Sequence, residues 1–296
     1  MRAACYVVGC GNVFFLQTIL ESIDRFAPPD IDLCPDIDLW YVLDRGVQTD
    51  LTRLCELFDR GAFDHLPIIR VAENTTAQGS INALWNWTVA KAARDGVDIA
   101  IVLNDDVYIS PGSISAILRV FQQNEHVALC GIPAPGQVQD ELHVRERWFM
   151  DPSLFYGPDF DKIVYAHKGM QPKYQGWTSG PFWACRVKPW LEHAVIPSCL
   201  HWGYGESWTG LSLYKAGWYT MSIYDPLILH YGGGAYFAVH SNSVAHEIFM
   251  NGARSVGDDA KNFATVWGTS ELGELHEKWQ KKFDIRSDVP PIHYSA

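Results

Sequence analysis

The chain has 296 residues, 48% of them apolar and 19% charged, a balance that belongs to a packed globular protein and not to a disordered or fibrous one. Its formal charge of -11 argues against a surface organised around nucleic-acid phosphates. No stretch approaches the roughly 18 uninterrupted apolar residues that a membrane span needs. The seven cysteines show no C-x-x-C spacing, so free thiols in a reducing, cytoplasmic setting fit better than a disulfide framework or a zinc cage.

The N-terminal "ACYVVGCG" predicts a buried strand, and Gly9, Gly11, Asn12 and Gln17, which break the apolar run, argue against a signal peptide. Asn12 can cap a helix whose apolar positions are Leu16, Ile19, Leu20 and Ile23. "DLWYVLD" over 38–44 predicts a second strand that ends in a carboxylate. Asp50 then caps a helix carrying Leu51, Leu54, Cys55 and Phe58, and "PIIRVAE" over 67–73 predicts a third strand. Ser80 opens a helix with Ile81, Leu84, Trp85, Thr88 and Ala92 at helical spacing, and "VDIAIVLND" is a fourth strand. Ser110 and Pro111 suit the cap and first position of the next helix, ahead of Ile114, Ile117, Leu118 and Phe121. "HVALCGI" over 126–132 closes the series as a fifth strand.

Repeated strand–helix–strand units with continuously apolar strands predict a mostly parallel sheet covered by helices on both faces. Ligands of such sheets sit beyond the carboxyl ends of the strands. Asp44, Asn74 and Asn104–Asp106 all fall there.

From 133 to 176 the periodicity stops, and a long excursion of this kind reads as a lid or an acceptor-facing loop. Regular structure resumes at "GWTSGPFWACR". The stretch "YTMSIYDPLILHYGGGAY" reads as a strand running into His230, and "SELGELHEKWQKKFDI" as a surface helix. The expected organisation is a strand–helix half over 1–132, the excursion over 133–176, a second half over 177–240 and a helical segment over 241–296.

"NDD", Asn104–Asp106, carries the most chemistry. Adjacent carboxylates at a buried strand end repel unless something compensates them. A hard divalent cation, commonly held by one or two carboxylates plus substrate phosphates, is one such partner. A plain strand terminus before a helix start is the other reading, and the motif alone does not choose. Asp44 taken singly suits a turn as well as a ligand; Asn74, Gly79 and Asn82 suit a nucleotide edge or a helix cap.

The order of the pieces is more specific. "DLWYVLDRGVQTD", "RVAENTTAQGSINALWNWTVAKA", "IVLNDDVYISPGSISAIL", "GWTSGPFWACR", "GYGESWTGLSLYKAGW", "ILHYGGGAY" and "NFATVWG" follow one another as do the motifs of inverting nucleotide-sugar glycosyltransferases of family 2. Over roughly 4–132 and 174–270 the chain resembles that family. The resemblance implies a GT-A fold: an α/β, Rossmann-like, mostly parallel central sheet flanked by helices, with a small acceptor-side subregion. It implies a nucleotide-sugar half over 1–132 and an acceptor and catalytic half over 177–240, with a nucleoside-diphosphate sugar donor, a UDP-sugar favoured, and transfer to an acceptor hydroxyl on a glycan, glycolipid, protein or modified nucleobase. Asp44 would contact the base; Asn74, Gly79, Asn104 and Asp105 would lie along the nucleotide sugar. Asp106 and His230 would hold Mn²⁺ or Mg²⁺. Trp177, Gly180, Trp202 and Trp208 would line the acceptor side, where aromatic faces suit sugar rings.

Two departures stand out. The metal motif begins with Asn104 where the family usually has Asp. The usual Glu-Asp pair, whose Asp is the base, reads Glu206-Ser207 here, so the base falls to Glu206, with Asp140, Glu141 and Asp151 of the 133–176 loop as the alternative source. That second departure keeps open a nucleotide- or carbohydrate-binding protein without catalysis. A nucleotidyltransferase is disfavoured because "GCGNVFF" lacks any basic residue. A nucleic-acid base hydroxyl is a conceivable acceptor that the acidic balance disfavours.

Overall fold

The computed structural model describes residues 1–9, 19, 38–44, 69–74, 80–105, 107–109, 112–132, 172–178, 180–224, 228–230, 244–284 and 290–293. An eight-stranded sheet runs in the order β3 (Ile69–Asn74), β2 (Asp38–Asp44), β1 (Ala3–Gly9), β4 (Ile99–Asn104), β8 (Phe182–Arg186), β6 (Val127–Gly131), β9 (Tyr219–Ser222), β7 (Lys173–Gln175). The first four strands are mutually parallel. β8 runs antiparallel to both β4 and β6, β9 parallel to β6, and β7 antiparallel to β9. The sheet is therefore mixed and mostly parallel. A separate antiparallel pair joins β5 (Val107–Ile109) to β10 (Ile228–His230).

The apolar strands work as two-faced elements. Cys5, Val7, Ile101 and Leu103 point into one core, while Ala4, Tyr6, Val8, Ala100 and Val102 point into the other. This is the two-residue alternation of a pleated strand with both faces covered. Helix α1 (Ile81–Arg94) covers the second face with Leu84, Trp85, Val89 and Ala92. Helix α2 (Ser113–Gln123) covers the first with Ile114, Ile117, Leu118 and Phe121. Burying each such Val, Ile or Leu side chain stabilises the fold by about 1.5–3 kcal/mol.

Ser80 caps α1, its side chain accepting the Ala83 N–H. The start of α2 departs from the sequence expectation. The helix begins at Ser113, and Gly112 before it has φ +74°, a left-handed conformation that a right-handed helix cannot include. Ser110 and Pro111 lie outside the described residues, as do the helix expected from Asp50 and most of the one expected after Asn12. Ile19 of the latter is helical and fully buried.

The fifth predicted strand, β6, is separated from β4 by β8, which follows the 133–176 excursion and is inserted between them. The single strand expected over 219–236 is two, β9 and β10, in different sheets, with Ser222 the last residue of β9. Past β8 the chain forms a helical turn over Val187–Pro189 continuing into a π-helical turn over Trp190–Ala194. Helices α3 (Gly205–Lys215), α4 (Val244–Trp267) and α5 (Leu272–Asp284) complete the described fold. Among the described residues no helix is long and apolar enough to cross a membrane.

Candidate active site

Strand register brings the polar residues of the first half into one row. Asp44 pairs with Asn74 at the ends of β2 and β3, Leu43 pairs with Gly9, and Val8 pairs with Asn104 at the end of β4. Asp105 follows immediately, its N–H donating to the Val8 carbonyl at 2.9 Å. Neighbouring strands stand about 4.8 Å apart, so the backbones of Asp44 and Asp105 are separated by about 10 Å across β1. The row lies along the carboxyl edge of four parallel strands, the edge at which such sheets bind ligands.

Gly9 makes the row possible. A β-carbon there would stand 1.9 Å from the Asp105 Oδ2, so the buried Asp105 carboxylate rests directly on the glycine's α-carbon. The Asn104 Oδ1 is enclosed and accepts no hydrogen bond among the described residues. Asp106 and Gly79 lie outside them. The β5–β10 register sets His230 opposite Val107, the residue after Asp106. Opposed residues of an antiparallel pair have α-carbons about 4.5–5.5 Å apart, so two segments remote in sequence meet at this strand end.

The second half of the site is built on α3. Glu206 lies in its first turn, half-buried at its surface. A β-carbon on Gly180 would approach the Glu206 Oε1 to 2.5 Å and the indole of Trp85 to 2.9 Å. Carboxylate and indole therefore crowd the same bare α-carbon. Enclosure by protein pushes the Glu206 carboxyl above the usual carboxylate range, and a hydrogen bond with its own backbone N–H pulls partly the other way. The next residue, Pro181, accepts the Asn104 N–H at 3.0 Å through its carbonyl. Gly180–Pro181 thus touches the NDD strand end on one side and the α3 carboxylate on the other.

The aromatic residues divide. Trp183 and Trp190 are stacked at 4.8 Å and buried, with Trp85 edge-on to Trp183 at 5.6 Å. Trp177 and Trp202 are half-buried. Trp208 donates its indole N–H to the Val195 carbonyl at 3.2 Å and packs edge-on against Trp267 of α4. A groove of about 630 Å³ opens along a different face of α1, between Asn86 and Trp87 on one side and Leu191, Val195 and Ile196 on the other. Neither Glu206 nor Asn104 lines it.

Three contributions escape inspection of the sequence. Trp85 reads there only as an apolar helix position. Gly9 reads only as one residue of the strand "ACYVVGCG". Asn82 neither caps α1 nor faces the strand row; its Nδ2 donates to the Leu200 and Gly203 carbonyls at 3.1 Å each, gripping the segment that leads into α3.

No protein-family model matches the chain, and no curated protein matches it in sequence. Solved structures do resemble it in three dimensions. The crystal structure of GalNAc-T7 with UDP, GalNAc and Mn²⁺ matches with a TM-score of 0.55 at 12% identity, over 78% of this chain and 44% of that one. The crystal structure of S. aureus TarS 1–349 matches with a TM-score of 0.51 at 12% identity, over 98% of this chain and 76% of that one. The chain has a GT-A-like glycosyltransferase fold. It spans less than half the length of the GalNAc-T7 chain, and at 12% identity the likeness is one of fold, not of substrate.

Among the described residues no three His, Cys, Asp or Glu side chains converge. The donor types expected at the β4–β5 corner, carboxylate oxygen and imidazole nitrogen, are nevertheless ones that Mn²⁺ accepts, and the carboxylates suit Mg²⁺. The enclosed Asn104 Oδ1, which accepts no hydrogen bond among the described residues, is a polar atom that a ligand there could satisfy.

Proposed function

We propose that the protein is an inverting glycosyltransferase that moves a sugar from a nucleoside diphosphate, a UDP-sugar favoured, to an acceptor hydroxyl. One observation carries the reading: Gly180–Pro181 joins the carboxyl edge bearing Asn104 and Asp105 to a crowded carboxylate, Glu206, whose proton affinity is raised. A donor lying along the strand row would have its base near Asp44 and its diphosphate near Asp105. The likeness in fold to GalNAc-T7, whose crystal structure contains UDP, GalNAc and Mn²⁺, supports this direction.

Glu206 is the base. It takes the proton of the acceptor hydroxyl as that oxygen forms a bond to the anomeric carbon, while the bond to the diphosphate oxygen breaks and the diphosphate leaves with its electron pair. A carboxylate whose pKa is raised toward the working pH takes a proton more effectively than an ordinary one. Ser207 beside it is 2% exposed and faces the packed side of α3, so it does not replace the aspartate expected at that position. Asp106 and His230 are the residues that would hold Mn²⁺ or Mg²⁺, which would supply positive charge to the developing diphosphate. Trp177 and Trp202, both half-buried, are the aromatic faces offered to the acceptor.

The test is thermal stabilisation by UDP, GDP, CDP and dTDP, each with and without Mn²⁺. A ligand that binds only the native state raises its melting temperature by mass action. The expected result is a shift with one nucleotide, dependent on Mn²⁺ and lost in Asp106→Ala. With that sugar nucleotide and an accepted hydroxyl, product NMR should report inversion at the anomeric carbon. No shift with any nucleotide in either condition would remove the donor site, and a retained anomeric configuration would remove Glu206 as a base of direct displacement.

A further inference from the structure

The segment entering α3 has its backbone almost wholly accounted for by side chains of two other helices. From α1 and its cap, Ser80 Oγ donates to the His201 carbonyl at 2.7 Å, and Asn82 Nδ2 donates to those of Leu200 and Gly203. From α4, Asn262 Nδ2 donates to the Cys199 carbonyl at 2.9 Å. The three consecutive N–H groups are taken by one carboxylate. Asp259 Oδ1 accepts from His201 at 2.9 Å, and Oδ2 accepts from Trp202 and Gly203, each at 2.8 Å.

Asp259 is fully buried. A buried carboxylate is tolerated only when its oxygens are satisfied, and bonds from N–H groups to a charged oxygen are roughly twice as strong as neutral ones. Immediately after the clamped residues, Tyr204 adopts φ +63°. Among the described residues it is the one non-glycine with positive φ. A bulky residue there is uncommon and persists where its surroundings impose it. Here those are the clamp before it and the Phe263 ring of α4, whose centroid lies 4.9 Å from that of Tyr204. Two residues on stands Glu206. The first turn of α3, and with it the direction of the carboxylate, is set by how the chain leaves the clamp.

We propose that Asp259 is a positioning residue: from α4 it binds the 201–203 backbone and, through the imposed left-handed turn at Tyr204, holds Glu206 against Gly180 in the geometry that transfer needs. The proposal rests on Glu206 being the base, and it adds a requirement that α4 be docked for catalysis. Asp259 touches neither donor nor acceptor in this scheme, so its loss should act on turnover and leave donor affinity alone.

The experiment is a double-mutant cycle of Asp259→Asn and Glu206→Gln on the full chain, with amide hydrogen exchange at 201–203. Asp259→Asn should slow kcat roughly 10- to 100-fold, the scale of a small misplacement of a reacting group. Its Kd for the nucleotide identified by thermal shift should stay within about twofold. Exchange of the His201, Trp202 and Gly203 amides should accelerate. In the Glu206→Gln background the same change should cost nothing further, because the group being positioned is gone. Should Asp259→Asn not fold, Asp259→Glu keeps the charge and displaces it by one methylene, with the same outcomes. Unchanged turnover, or an equal further loss on top of Glu206→Gln, overturns the proposal. Unchanged exchange with Glu206→Gln inactive overturns the clamp alone. Full transfer by Glu206→Gln overturns the base assignment, and with it the catalytic meaning of the clamp, whatever the exchange shows.

Discussion

The two sides of the candidate site are built by different physics. The proposed donor side is a row of strand ends, Asn74, Asp44, Gly9 and Asp105, whose relative positions follow from hydrogen-bond register between parallel strands. Once the strands pair, that row has little freedom left. The Glu206 side has no register. Its carboxylate stands at the start of a helix, preceded by a segment held by side chains from α1 and α4 and pressed against a glycine between β7 and β8. In the proposed scheme donor geometry is thus a property of the sheet, whereas base geometry is a property of packing between elements far apart in the chain. Damage to the first should show in binding, and damage to the second in turnover.

The sharpest way to separate the two sides is the pair Glu206→Gln and Asp106→Ala. Loss of a general base costs about 10²–10⁴-fold, so Glu206→Gln should lower kcat by that range with nucleotide Kd unchanged. Asp106→Ala should instead abolish Mn²⁺-dependent stabilisation by the nucleotide. Steady-state kinetics beside titration calorimetry reads both. If both variants lose binding alike, the division proposed here does not exist.

A subtler pair adds one β-carbon on each side. Gly9→Ala collides with the Asp105 carboxylate and Gly180→Ala with that of Glu206. Overpacking of this kind costs about 1–3 kcal/mol where the neighbour must move. Gly9→Ala should therefore weaken nucleotide affinity by about 5- to 100-fold if that cost falls on the bound geometry. Gly180→Ala should leave affinity alone and lower kcat, the latter by up to about 100-fold. Equal effects of the two on Kd would break the comparison.

The smallest effects are in pH dependence. Because burial raises the Glu206 carboxyl, the acid limb of kcat/KM should lie above the ordinary glutamate value of about 4.3. Stability has the matching sign. In the window between the ordinary and the raised value the native state binds more protons than the unfolded one, so stability falls as pH rises through it. Glu206→Gln removes that slope, and its melting temperature should exceed that of the parent at neutral pH while converging below pH 4. Melting curves from pH 3 to 8 test this. A difference of the opposite sign would mean that the carboxylate is better solvated than its packing implies.

Much of the donor side was legible because it rests on local pattern. The runs "AACYVVG" and "IAIVLN" contain too many consecutive apolar residues to be anything but strands covered on both faces, and Ser80 with its helical stripe marks α1 without ambiguity. Glu206 was legible only as a motif position. That the Glu206 carboxylate and the Trp85 indole would both crowd Gly180 was not, because three separate segments meet there and none carries a periodic signal for the meeting. Asp259 looks from sequence like one more acid in a polar helix. Only the positions of three N–H groups some 56–58 residues earlier in the chain show why it is buried.

By itself, then, the sequence determined the strand and helix types, the two-faced cover of the parallel strands and the gathering of Asp44, Asn74, Asn104 and Asp105 at one edge. Pleat and helical periods are local, and hydrophobic burial enforces them wherever they occur. The tertiary structure alone decided that β8 enters antiparallel between β4 and β6, that β10 brings His230 opposite Val107, and that Asp259 grips the entrance to α3. Those choices depend on which distant backbone groups find partners on burial, and that requirement has no period to read along the chain.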